Sequence, residues 1–256
     1  MNHTSTVASI ALQLNSSAHL SALPQNLNPS LPFILGETNS LYRQGRPGLS
    51  NTFGATLWGV DFALYSAANN IRRVHMHQGT NYRYQSWQPI ETNKTSKGTK
   101  APYYGNIAVA SFLGKIAASS PKVVNIPLPS SAEAAYAAYV DGKLSKLMVI
   151  NMQAYNATDY NSEFINEYPR PVETYTFQLP QESCETSLSL QRLTANGSDA
   201  ITGVTFDGYS YNYELDNGRP VLLSNVTRGE TAKVNEQGVL TLEVERSSAV
   251  IVNLQS

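Results

Sequence analysis

Two periodicities divide the chain. In the first half, apolar residues recur at the three-to-four spacing of helices or gather in short runs between turn formers. Thr6–Leu20 reads as a helix. A Pro/Asn-rich loop, Pro24–Pro32, leads into the run Pro32-Phe-Ile-Leu-Gly36, bounded by Pro and Gly as a buried strand is. Glu37 stands at its end. Ser50 or Asn51 is placed to cap a helix over Phe53–Ala68, whose Phe53, Leu57, Val60 and Leu64 share one face. Arg72–His77 is a second strand, Gln78–Ala101 a long polar loop, and Tyr103–Ala118 another amphipathic helix. The order helix, strand, helix, strand, helix predicts α/β structure, and two such units supply only about a quarter of an eight-stranded barrel.

From Val123 onward the period changes to two. Ala135–Val140, the turn Asp141-Gly142 and Leu144–Met152 read as a hairpin. Further short runs follow at Thr174–Leu179, Leu188–Leu193, Val204–Phe206, Tyr209–Leu215, Pro220–Leu223, Leu240–Val244 and Ala249–Leu254. Turns are expected at Asn196-Gly197, Asp207-Gly208, Asn217-Gly218 and Gln237-Gly238. This pattern predicts an antiparallel β-sandwich. The boundary falls near Ser119–Pro121, which gives an α/β segment over 1–120 and a β-domain over 121–256.

Charge sharpens the division. Residues 1–122 hold ten Lys/Arg against three acids, Glu37, Asp61 and Glu91, a net +7. Residues 123–256 hold eight against sixteen, a net −8. The basic residues are scattered and match no nucleic-acid-binding motif, so an anionic small ligand or glycan suits them better. The chain has one cysteine, Cys184, so no internal disulfide can form, and it shows no metal-ligand spacing. No apolar stretch reaches the roughly 18 residues of a membrane span. Six N-x-Ser/Thr sequons, at Asn2, Asn15, Asn93, Asn156, Asn196 and Asn225, favour passage through the secretory pathway. The first twenty residues lack a signal-peptide pattern, so either the protein is cytosolic or, the favoured expectation, Met1 is not the start of the ancestral protein.

Glu37 is the leading candidate for chemistry. On position alone a surface carboxylate in a turn is the commoner role. What favours chemistry is that it follows an apolar strand directly, where barrel active sites are built, and is one of only three acids in the first 122 residues. Tyr42 and Arg43 could steer an anionic sugar, or could belong to a solvated Gly-rich loop. His75 and His77 form a His-x-His pair without a third metal ligand, which leaves a barrel-lining or sugar-contacting His77 as the better reading. Tyr82, Tyr84 and Trp87 could stack on sugars or pack between the two halves. Asp61, inside an apolar helix, reads as structural, and Cys184 as inert. No nucleophile elbow, P-loop or dinucleotide fingerprint is present.

The segment Leu35-Gly-Glu-Thr-Asn-Ser-Leu-Tyr42 resembles the nucleophile segment of family 79 glycoside hydrolases, the β-glucuronidase and heparanase group, fungal members above all. Leu49-Ser-Asn-Thr-Phe-Gly-Ala-Thr-Leu-Trp58 and Gly79-Thr-Asn-Tyr82 extend the likeness. The all-β tail ending Ser247-Ser-Ala-Val-Ile-Val-Asn-Leu254 resembles the family's C-terminal β-domain. The resemblance implies the C-terminal fragment of a (β/α)8 TIM barrel followed by the sandwich. It implies retaining hydrolysis, with Glu37 as the nucleophile and Tyr42, Gly79, Thr80 and Tyr82 beside the uronic acid carboxylate. The implied ligand is a glucuronic-acid-containing glycan or glucuronide, and the chemistry needs no cofactor and no metal. The family's acid/base Glu lies on an earlier strand. The 36 residues before Glu37 contain no acid, and Glu91 falls in a later loop. The 256 residues alone are therefore expected to be inactive. The alternative is a non-catalytic β-sandwich module that binds glycans or packs against a partner.

Overall fold

The computed structural model describes residues 2–22, 32–114, 121–158 and 169–254. Its first half contains α1 (His3–Ser21), β1 (Ile34–Thr38), α2 (Phe53–Ala68), β2 (Arg73–Met76), the two short strands β3 (Trp87–Gln88) and β4 (Gly98–Thr99), and α3 (Ala101–Leu113). β1 and β2 pair in parallel across α2, a β-α-β unit. Ile34 lies opposite Arg73, Leu35 opposite Val74 and Thr38 opposite Met76. β1 thus carries one residue more than β2 between the last two pairs. The bulge falls at Gly36 and Glu37.

α2 is apolar on two sides. Phe53, Leu57, Val60 and Leu64 are fully buried on one side, packed with Tyr104, Ala108 and Phe112 of α3. Phe62 turns to the other side, where it meets Ile10 of α1, Leu35 of β1 and Ile71. The cap of α2 differs from expectation. Thr52 occupies the N-cap with no side-chain capping bond, its hydroxyl donating instead to Leu49 O at 2.8 Å. Backbone carbonyls do the capping instead: Ala200 O accepts from Phe53 N at 2.7 Å, and Ser198 O from Gly54 N at 2.8 Å. Ser50 and Asn51 use their side-chain oxygens on the preceding turn, accepting from Arg46 N and Gly48 N. α3 begins at Ala101, with Pro102 in its first turn, and stops at Gly114, whose φ of 67° leaves the helix. Of the residues expected to continue it, 115–118 lie outside the described ones. The expected loop Gln78–Ala101 contains the β3–β4 pair, too short for its pattern to register in sequence.

The second half contains β5 (Lys122–Ile126), β6 (Glu133–Val140), β7 (Lys143–Asn151), β8 (Val172–Gln178), β9 (Ser187–Thr194), β10 (Thr205–Phe206), β11 (Tyr209–Ser210), a one-turn α4 (Tyr213–Asp216), β12 (Val221–Leu222), β13 (Thr231–Lys233), β14 (Val239–Glu245) and β15 (Ser248–Asn253). Nine strands form one antiparallel sheet in the order β12-β11-β10-β9-β15-β7-β6-β5, with β13 also paired to β9. β15 lies in the middle, paired with both β7 and β9. Its run Ala249-Val-Ile-Val252 is buried throughout, because both faces of the sheet are covered. One face meets α2 and α3 through Tyr136, Met148, Ile150 and Ile251. The other meets the separate β8–β14 pair through Val149, Val250 and Val252 against Leu240, Leu242 and Val244.

The β6–β7 hairpin turns at Asp141 and Gly142, both with positive φ (50° and 79°), as its Asp-Gly sequence requires. Tyr209–Leu215 departs from expectation. It leaves the sheet after Ser210 and closes into α4, ended by Asn217 in the left-handed conformation. Asn196-Gly197 is no hairpin turn. A Cβ on Gly197 would come within 2.6 Å of Ala157 N, so this glycine serves a close crossing of two loops.

Candidate active site

Parallel pairing sets the C-terminal ends of β1 and β2 side by side. Thr38 O accepts from His77 N at 2.9 Å, and Asn39 Nδ2 donates to His77 O at 3.0 Å. These bonds hold His77 next to Glu37, with Nε2 4.0 Å from Oε1. The Glu37 side chain is 75% exposed, so its carboxylate is open to an incoming ligand. The bulge explains this orientation: an extra residue in one strand of a pair re-aims the side chains around it.

Two rings gather around His77. Tyr82 stacks on it with centroids 5.2 Å apart, and Tyr84 stands edge-on to both. The Tyr84 hydroxyl lies 3.2 Å from His77 Nδ1. Burial chiefly, then the neighbouring Tyr82 and Glu37, pushes the Tyr84 phenol above its ordinary pKa, so it stays a neutral partner. Gly79 makes the fold-back of Tyr82 possible. A Cβ there would sit 2.3 Å from the Tyr82 ring. Tyr82 N donates to Gly79 O at 3.0 Å, and Asn81 takes φ 67° to close the turn. Thr80 is exposed at its tip.

The structure therefore brings Glu37, Gly79 and Tyr82 together around His77. Tyr42 stands apart. It is 81% exposed, with the Arg43 guanidinium 5.6 Å from its ring, and no hydrogen bond or ring contact joins it to Glu37, His77 or Tyr82 among the described residues. Its loop is nevertheless tied to the same turn, since Arg83 N donates to Gln44 O at 2.7 Å. His75 points to solvent on β2, and no group of three metal-ligating side chains gathers among the described residues. Glu91 accepts from Lys97 N in the β3–β4 loop. Cys184 is half-buried and free.

Asn39 and Tyr84 are members of the site that sequence reasoning undervalued. The position of Asn39, two residues after Glu37, was the available signal: an amide there can reach the neighbouring strand end. Asp61 is buried at the junction of the halves. The Tyr136 hydroxyl donates to its Oδ1 at 2.6 Å, and His3 Nδ1 lies 2.8 Å from the same oxygen, while Oδ2 is buried without a partner. Asp61 thus has a structural role, with partners 58 and 75 positions away in the chain.

Residues 135–251 match the glycosyl hydrolase family 79 C-terminal beta domain. A β-glucuronidase of Aspergillus niger is 56% identical over 256 residues, 99% of this chain and 47% of that protein. One of Neurospora crassa is 48% identical over 281 residues, 98% of this chain and 50% of that protein. The chain thus spans about half the length of the curated relatives it matches. Among solved structures, a 4-O-α-L-rhamnosyl-β-D-glucuronidase from Fusarium oxysporum superposes with a TM-score of 0.69 at 26% identity, covering 87% of this chain and 43% of that one. An arabinofuranosidase superposes at 0.56 with 12% identity over 98% of this chain and 48% of that one, a likeness of fold alone. Residues 135–251 thus match the family 79 C-terminal beta domain, and the chain as a whole is similar to about half of each of two fungal β-glucuronidases.

Proposed function

We propose that the chain is the nucleophile-bearing, C-terminal part of a retaining β-glucuronidase acting on glucuronic-acid-containing glycans. In this reading β1-α2-β2-α3 is the end of a (β/α)8 barrel, residues 1–120, and residues 121–256 are the β-domain that packs on it. The observation that carries it is the convergence at the ends of two parallel strands of an exposed carboxylate, Glu37, with His77, Tyr82 and Tyr84. The β-glucuronidase names of the two fungal relatives support the substrate class.

Glu37 attacks the anomeric carbon and forms a glycosyl ester. A second carboxylic acid, about 5–5.5 Å away in retaining enzymes, protonates the leaving oxygen and then activates water. His77 fixes the direction of attack by standing beside the Glu37 carboxylate, itself held by Asn39 and Tyr84. Gly79 and Thr80 offer backbone, and Tyr82 and Tyr42 hydroxyls, to the sugar carboxylate. The acid partner belongs to an earlier barrel strand, so the 256 residues alone do not turn over. The parent protein passes through the secretory pathway, a reading supported by the exposure of all six sequon asparagines.

The test is an aryl β-glucuronide assay of the 256-residue chain and of a version extended by the upstream half of an Aspergillus-type relative. Background rates from the short chain, turnover by the extended protein, and loss of that turnover in Glu37→Gln are expected, because an amide cannot form the ester. Full activity of extended Glu37→Gln would overturn the assignment. Turnover by the short chain that is lost in its Glu37→Gln variant would overturn the inactivity.

A further inference from the structure

A cleft of about 440 Å³ lies where β3 and β4 meet α4 of the β-domain. Trp87, Tyr103 and Tyr213 line it with Gln88, Lys97 and Gly98. We propose that this cleft binds one ring of a neutral pyranose chain, stacked on Trp87. The proposal shares with the proposed function only the class of ligand, a glycan, and needs nothing from Glu37.

The lining suits such a ring. Trp87 is a large apolar side chain left 52% exposed beside two half-buried tyrosines. A pyranose has an apolar C–H face and a polar rim. The face removes aromatic surface from water, while the rim keeps its hydroxyls hydrogen-bonded to polar walls. Tyr103 is set by edge contacts with Tyr104 and Tyr211, at 6.5 and 6.1 Å, so the wall is preformed. Tyr213 is held by Gly98, at φ 118°, since a Cβ there would come within 2.5 Å of Tyr213 Cβ. The cation of Lys97 lies 4.6 Å over the Tyr213 ring, already occupied by that face. Glu91 accepts from Lys97 N, and Glu214 and Glu91 both act on neighbouring Lys100. Lys97 is the one charged side chain in the lining, its cation set against Tyr213, and the other lining residues are uncharged, which suits a neutral ring.

Hydrogen bonds tie the cleft to the Glu37 site. Gln88, buried behind Trp87, accepts from Asn81 N and donates to Asn81 Oδ1, both at 3.1 Å. Asn81 belongs to the turn that folds Tyr82 onto His77. These bonds couple the strand that carries Trp87 to the turn that carries Tyr82.

The test is titration of the 256-residue chain with xylotetraose and with cellotetraose, read by tryptophan emission and by isothermal calorimetry. Trp87 is one of only two tryptophans, and Trp58 lies away from the cleft in α2. Saturable binding with a shift in emission is expected for at least one of the two sugars. Trp87→Ala should weaken it about tenfold or more, Trp87→Phe should retain most of it, and Tyr213→Ala should weaken it several-fold. Binding is read without hydrolysis, so failure here is distinguishable from failure of the proposed nucleophile. If circular dichroism shows that Trp87→Ala is unfolded, Tyr213→Ala and Trp87→Phe decide. No saturable binding of either sugar, or binding indifferent to both the Trp87 and Tyr213 changes, would overturn the proposal.

Discussion

The same kind of apolar strand meets two fates in this chain. β15 carries Ala249-Val-Ile-Val252 between β7 and β9, with helices on one face of its sheet and the β8–β14 pair on the other, and all four residues are buried. β1 carries Ile34 and Leu35, preceded by Phe33, before its catalytic candidate, yet has one partner strand among the described residues, and Ile34 remains 42% exposed. The contrast shows that a strand's stability belongs to its neighbours.

Substitutions should divide along the same line. The largest effect is expected in the closed sheet. Ile150→Ala, fully buried on β7, should cost about 2–5 kcal/mol in chemical denaturation, because the packed layers cannot collapse into the space. Ile34→Ala on β1 should stay within about 0.5 kcal/mol, as at other exposed positions. Equal costs at the two positions would break the comparison.

The junction between the halves should come next. Asp61→Ala leaves the buried Tyr136 hydroxyl and the His3 ring without their acceptor, at a cost of about 1–3 kcal/mol. A pH dependence should accompany it. The hydrogen bond to Asp61, opposed by burial, raises the pKa of His3 above its ordinary 6.5. A group whose pKa rises on folding stabilises fully below its unfolded pKa, and loses that contribution as pH climbs through the folded value. Stability should therefore fall as pH rises above about 6.5. Denaturation midpoints at pH 6 and pH 8 would show it, and His3→Ala should flatten that part of the profile.

The candidate site should respond locally. Gly79→Ala must swing Tyr82 away, since the ring occupies the space of the new Cβ. The expected stability loss is about 1 kcal/mol, because Tyr82 is only half-buried. Nuclear Overhauser contacts between the His77 and Tyr82 rings should disappear. Their persistence would mean that Gly79 does not set this geometry. Smallest of all, Arg219→Met should change stability by less than about 0.5 kcal/mol, since its 4.0 Å pair with Asp216 is largely exposed.

Much of this was legible along the chain. The stripe Phe53, Leu57, Val60 and Leu64 located α2, and Asp141-Gly142 located the hairpin, because helical periodicity and turn chemistry are local properties. The signal failed where contacts compete with local preference. Ser50 and Asn51 look like caps, yet the carbonyls of Ser198 and Ala200 reach α2 first. Tyr209–Leu215 alternates like a strand, yet its second half turns into α4 beside β4.

By itself, the sequence determined the two periodicities, the placement of Glu37 after an apolar run, and the glycines at positive φ, because each depends on residues a few positions apart. Only the tertiary structure decided that β1 bulges at Gly36 and Glu37, that His77 stands between Glu37 and Tyr82, and that Asp61 is shared by His3 and Tyr136. Apart from the His77–Tyr82 stack, those features join residues from about 40 to 75 positions apart, and their energies are realised only when packing brings the partners within hydrogen-bond or ring-contact distance.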